Sequence, residues 1–103
     1  MTKEKSEAFQ GQAKKQESVK DETKNTQQEA VEAAPEAAES LGQAANQMQK
    51  AEDQLNQDEN AADAQQAAID ALDKAEEQLA EKIEELEKAM EQKKALEELS
   101  ENI

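Results

Sequence analysis

Cysteine, histidine, arginine, tryptophan and tyrosine are all absent from this 103-residue chain, and Phe9 is its one aromatic residue. Without cysteine there is neither a disulfide nor a thiolate–metal site, and redox compartment leaves no mark on the sequence. Without histidine or cysteine, Ser–His and Cys–His nucleophile pairs and imidazole acid–base chemistry are excluded. Di-iron bundle sites, built on Glu-x-x-His pairs, go with them. Two Val, three Ile and one Phe are far too few for a β-sandwich or a doubly wound sheet. No apolar run approaches the roughly 18 residues of a membrane span. Residues 1–10 have no apolar stretch of the kind a secretory signal carries, so none is expected. Glycine and proline are scarce too, at two and one, which leaves little to interrupt a helix.

What is present points two ways. Leu, Ile, Val and Phe make up only 13 residues beside a net charge of −14, a combination typical of disordered chains. Against that, Ala, Glu, Lys and Leu together supply 59 residues, and 14 Gln join them. These are strong helix formers and the composition of long helices and coiled coils. Phasing of the apolar residues decides between the two.

That phasing is strong between residues 41 and 90. Leu41, Ala45, Met48, Glu52 and Leu55 recur at spacings of 4, 3, 4 and 3, with Ala51 beside the polar entry. The spacing resumes over Gln65, Ile69, Leu72, Glu76, Leu79, Ile83, Leu86 and Met90, with Ala75 beside Glu76. A repeat averaging 3.5 residues holds one helix seam against a partner helix. Between the runs, Asn56, Gln57, Asp58, Glu59 and Asn60 form a polar cluster short enough to join antiparallel helices. Asn60 is placed to cap the next helix, with Asp63 favouring its positive end. Pro35 suits the first turn of a helix and pushes Ala34 out of helical geometry. An αα-hairpin follows, with helix 2 over 35–56, a turn at 57–60 and helix 3 over 60–103; its seam residues are Leu41, Ala45, Met48, Leu55, Ile69, Leu72 and Leu79.

Residues 1–34 read as a weakly amphipathic helix 1. Its seam, Phe9, Gln12, Gln16, Val19, Thr23, Thr26, Ala30 and Ala33, is half polar. It either frays or docks on the hairpin. Docking gives an all-α, elongated three-helix bundle in which Phe9 lies below Leu55 at the hairpin turn and Thr23 lies near Gln47 and Ile69. Gln16, Thr23 and Gln65 then form a polar layer, hydrogen-bonded together inside the bundle or meeting water at its edge; an unmade buried bond costs about 1–3 kcal/mol. Helix 3 outruns helix 2 by about twenty residues at 1.5 Å of rise each. The overhang carries Ile83, Leu86, Met90, Leu96, Leu99 and Ile103, a candidate interface, although Lys93 falls on the seam and its phase slips after Met90.

The run Met48, Ala51 and Leu55, then Ala61, Gln65, Ala68, Ile69 and Leu72, then Ala75 and Leu79, resembles a helical module of large membrane-anchored bacterial proteins of uncharacterised function. Ala13 and Gln16, followed by Glu22 and Thr23, are similar to that family's Gln…Glu-Thr element, and Pro35 falls where it commonly has a proline. The likeness covers roughly residues 12–80 and rests on helix-packing positions. It implies a soluble helical piece of a larger envelope protein; otherwise a cytoplasmic location is expected. Residues 12–30 also resemble, in composition, late-embryogenesis-abundant stress proteins.

No enzyme activity, cofactor, metal or small-molecule ligand is expected. Paired carboxylates cannot hydrolyse sugars without a walled pocket and stacking aromatics. Asp73, Glu77, Glu81 and Glu85 form an acidic stripe that reads as a solvated face rather than a cation site, because a Ca²⁺ cage needs a turn that converges oxygens. A −14 chain repels nucleic-acid phosphates and anionic lipid. The expected function is a non-enzymatic structural and interaction module, its partner a protein helix or a second copy. The rival is a disordered, hydration-type stress protector.

Overall fold

The computed structural model describes residues 2–102, and three α-helices account for nearly all of them. Helix α1 spans Lys3–Ala30, α2 Pro35–Asn56 and α3 Ala62–Glu101. No strand occurs among the described residues. The molecule measures 78 × 18 × 17 Å, an elongated all-α bundle.

Local chemistry sets each helix end. Thr2 caps α1 by accepting from the Lys5 N–H at 3.2 Å. Pro35 opens α2, and Ala34 before it is non-helical at φ −146°, ψ 72°. At the far end of α2 the Glu59 N–H returns to the Gln54 carbonyl and the Asp58 N–H to Leu55. That is a Schellman closure, with Asp58 at φ 58° in the left-handed position usually given to glycine. The connection runs to Ala61, so α3 starts two residues later than expected. Asn60 nevertheless accepts from the Ala62 N–H at 2.8 Å, two residues on. Helix α1 likewise stops at Ala30 rather than running to 34, because the chain must turn before Pro35.

Helix α2 lies in the middle. Both α1 and α3 pack along it, and among the described residues no Cα of α1 comes within 8 Å of α3. The core follows from that arrangement. Nine residues of α2 are buried, against three in the much longer α3. Met48 and Leu55 are the largest fully buried side chains, and alanines fill most of the remainder. Small side chains let each outer helix approach α2 closely, so backbone and methyl contacts replace bulk. At one end Phe9 packs on Ala13, Ala51, Leu55, Ala61 and Ala64. Further along, Met48, Ala44 and Ala68 are joined by Ala71 and Leu72.

Candidate interaction surface

The seam of α2 contains the expected Leu41, Ala45, Met48 and Leu55, each at most 5% exposed. The other two helices face α2 with a stripe turned by about one residue from the expected one. On α1 the covered positions are Ser6, Phe9, Ala13, Gln16, Lys20, Thr23, Gln27 and Ala30, spaced alternately by three and four, and buried Ala34 follows in the turn. Val19, expected on the seam, is 44% exposed. On α3 the buried line is Ala64, Ala68 and Ala75, with Leu72 and Leu79 half-buried beside it. Ile69 departs from the expected seam: it is 49% exposed, and Ala68 takes its place. The cause is geometric. An outer helix with one neighbour buries only the stripe facing α2, and Ile69, one turn beyond Gln65, lies on the side toward the open cleft between α1 and α3.

The polar residues divide rather than forming one layer. Gln65 Nε2 donates to Gln16 Oε1 at 3.2 Å and bridges the α1–α3 cleft. Thr23 is buried, but its hydroxyl donates to the Val19 carbonyl of its own helix at 2.8 Å and lies 3.5 Å from the Met48 sulfur. It does not join the glutamines. Ser40 donates to Gln78 Oε1 at 2.6 Å across the α2–α3 seam.

The strongest polar contact was not anticipated. Lys20 Nζ donates to Glu52 Oε2 at 2.7 Å and to Gln49 Oε1 at 2.8 Å. Both charged side chains are nearly covered, at 10% and 13% exposure. The hydrogen bond to Glu52 raises the Lys20 pKa above its ordinary value, outweighing the burial that opposes it. A signal for this pair exists in the sequence. Glu52 occupies a seam position and needs a cation, and Lys20 is the lysine of α1 spaced four from Gln16 and three from Thr23.

Beyond the bundle α3 runs on alone. The N-terminal end of α2 sits against Gln78, Glu81, Lys82 and Glu85. From residue 84 onward every described residue is exposed. Ile83 is 56% exposed, Leu86 49%, Met90 70%, Leu96 66% and Leu99 61%. Ile103 of the candidate interface lies outside the described residues. Among the described residues the ion pairs of this stretch are surface contacts, Lys82 to Glu85 at 3.8 Å, Lys88 to Glu84 at 3.5 Å and Lys93 to Glu97 at 3.9 Å; such pairs contribute little, about 0–1 kcal/mol. Asp73, Glu77, Glu81 and Glu85 are all exposed. No described helix is long and apolar enough to cross a membrane. No family model, curated protein or solved structure matches the chain.

Proposed function

We propose that this protein is a non-enzymatic structural and interaction module, a three-helix platform that holds out the end of α3 for another helix to grip. One observation carries the reading. Five large apolar residues, Ile83, Leu86, Met90, Leu96 and Leu99, stand exposed on a single helix beyond the point where its own bundle stops. Full burial of such a side chain from full exposure is worth roughly 1.5–3 kcal/mol, and each of these keeps about half or more of its exposure, so a corresponding share of that driving force for helix association is unspent. The platform supports the role mechanically. Because α3 is continuous, docking of its first half on α2 fixes where the second half points. The acidic surface disfavours phosphate-rich partners. The likeness of residues 12–80 to a helical module of bacterial envelope proteins extends the proposal to one segment of such an assembly. A packed core around Met48 and Leu55 favours this reading over a hydration-type protector, which works without fixed packing.

A photo-crosslinking residue tests the proposal in cells that make the protein. Placed at Met90 it is expected to capture a neighbouring protein, whereas at Asp63, on the exposed face of the platform, it captures none. Equal background at both positions overturns the reading.

A further inference from the structure

The two seams that hold the platform together differ in chemistry. Of the ten covered residues on α3 between Ala62 and Lys82, seven are apolar: five alanines with Leu72 and Leu79. Helix α1 has eight covered residues, and five of them are polar: Ser6, Gln16, Lys20, Thr23 and Gln27. The hydrophobic driving force follows the apolar area taken from water, so α1 is held less by burial and more by hydrogen bonds. Water can replace those bonds. When α1 leaves, Ser6 gives up Asp58, Gln16 gives up Gln65, and Lys20 gives up Gln49 and Glu52. The charges of Lys20 and Glu52 then recover the hydration that docking took from them.

The joint between α1 and α2 is narrow enough to act as a hinge. The Ala34 N–H donates to the Ala30 carbonyl at 2.8 Å, and the Ala34 carbonyl accepts from the Ala38 N–H at 3.0 Å. Each rigid peptide group flanking Ala34 is therefore fastened to the helix on its own side. Rotation about the φ and ψ of Ala34 redirects α1 and breaks neither bond. Pro35 follows, with no N–H to lose, and its ring keeps Ala34 out of helical geometry, so the two helices do not fuse. Helix α1 is also long enough to persist when released. Its 28 residues exceed the roughly 12–15 below which isolated helices are marginal, and its Thr2 cap travels with it.

We infer that α1 is a detachable strap, which swings off α2 as a helix about Ala34 while α2 and α3 stay docked. The docked form is the majority state. The excursion opens one side of the core, where Thr23 lies against Met48 and where Phe9 and Ala13 pack with Leu55. The line of α3 is unchanged by it, because α3 lies along α2 and no described Cα of α1 comes within 8 Å of α3. The platform thus has two conformations and a single direction for the α3 extension.

Thiol labelling of the full chain tests the strap, since the sequence has no cysteine of its own. Ala13→Cys and Thr23→Cys place probes in the α1 seam, and Ala68→Cys places one in the α3 seam, all at buried positions. Protection is the labelling rate of the unfolded chain divided by that of the native one. It is expected to be at least about tenfold lower at residues 13 and 23 than at residue 68. Labelling at 13 and 23 should also respond less steeply to urea, because undocking one helix exposes less surface than unfolding. Leu72 packs with Ala44, Met48 and Ala68, away from the α1 seam. Leu72→Ala should therefore speed labelling at residue 68 at least about fivefold and leave residues 13 and 23 within about twofold. The near-isosteric Thr23→Cys keeps the comparison valid if the added sulfur at residue 13 disturbs its seam. Equal protection in the two seams, or equal acceleration of all three probes by Leu72→Ala, overturns the strap, since all three helices then open in one event.

Discussion

The two halves of α3 differ in composition and in surroundings: residues 62–82 hold seven alanines and three large apolar residues, residues 83–101 two alanines and five large apolar residues. Through Lys82 the helix lies against α2 and buries Ala64, Ala68 and Ala75; beyond it, Ile83, Leu86, Met90, Leu96 and Leu99 face water. Five of the eight large apolar residues of α3 thus lie outside, while the residues it buries fully are alanines. Bulk and hydrophobicity do not decide burial here; the reach of α2 does. The docked half owes its order to a neighbour, whereas the outer half is held mainly by α-helical hydrogen bonds and good helix formers.

That contrast makes a direct prediction, with the largest effect in the docked region. Leu55 is 1% exposed and sits among Ala13, Ala51, Ala61 and Ala64. Leu55→Ala should cost about 3 kcal/mol, a lost transfer term plus a cavity that rigid helices cannot close. Leu86→Ala should shift the dilute, monomeric melt by less than about 0.5 kcal/mol. Chemical denaturation followed by circular dichroism checks both. Equal losses would mean that the extension is folded into the same cooperative unit and the contrast is wrong.

Next in size is the Lys20–Glu52 pair. Lys20→Met leaves Glu52 almost covered and without its cation, at a cost of about 2 kcal/mol, less than for a fully buried pair because each side chain keeps some contact with water. Adding Glu52→Leu should recover most of that loss, since apolar packing can replace a buried ion pair. The pH dependence has a definite sign. The folded-state pKa of Lys20 is raised, so its contribution is complete below the ordinary value of 10.5 and disappears as pH climbs through the higher folded value. A melt series above pH 10.5 should therefore fall more steeply for the parent than for the Lys20→Met, Glu52→Leu double variant. Parallel curves would show that the pair contributes nothing net.

How much of this was legible depended on which residues carried the signal. The hairpin could be read because Pro35 and Asn60 act locally, on backbone groups one or two residues away. The seam of α2 could be read because a central helix with two neighbours covers a broad face, and Leu41, Met48 and Leu55 mark it. The outer helices were displaced by one position at half their layers because Val19 and Ile69 drew the stripe toward themselves. Ala13, Ala64 and Ala68, which fit where the helices come close, gave no hydrophobic contrast against twenty alanines. Lys20 was hidden for a different reason. A lysine on a polar helix has every appearance of a solvated residue until a carboxylate on another helix is brought beside it. Of the polar layer expected from Gln16, Thr23 and Gln65, the two glutamines meet, and their bond joins the two outer helices at that level.

A smaller effect comes from glycine, and it again separates the platform from its extension. Gly11 lies inside α1, and a methyl group built on it meets nothing within 4 Å. Gly11→Ala therefore removes backbone freedom from the unfolded chain without any clash, and should stabilise by about 0.8–1 kcal/mol. The gain depends on α1 melting together with the bundle. If α1 frays independently, its helical signal at low temperature will rise while the midpoint stays fixed. A shift of the midpoint itself, about 4–8 °C for each kcal/mol in a chain of this size, shows that α1 belongs to the cooperative core.

The smallest predicted change is at Asp58. Its left-handed φ of 58° is tolerated by Asn better than by most residues, and its carboxylate stands at the negative end of α2. Against that, Ser6 Oγ donates to both of its oxygens at 3.0 Å, tying the start of α1 to the hairpin turn. Asp58→Asn keeps an acceptor for Ser6, suits the left-handed backbone and removes the charge, so a gain of about 0.5 kcal/mol is expected. Asp58→Gly relaxes the backbone further but loses the Ser6 contact. If Gly outperforms Asn, the turn is governed by its backbone alone and the tie to α1 is dispensable. If Asn outperforms Gly, the Ser6 bond matters, and α1 is held at the hairpin end by a specific contact as well as by the alanine seam.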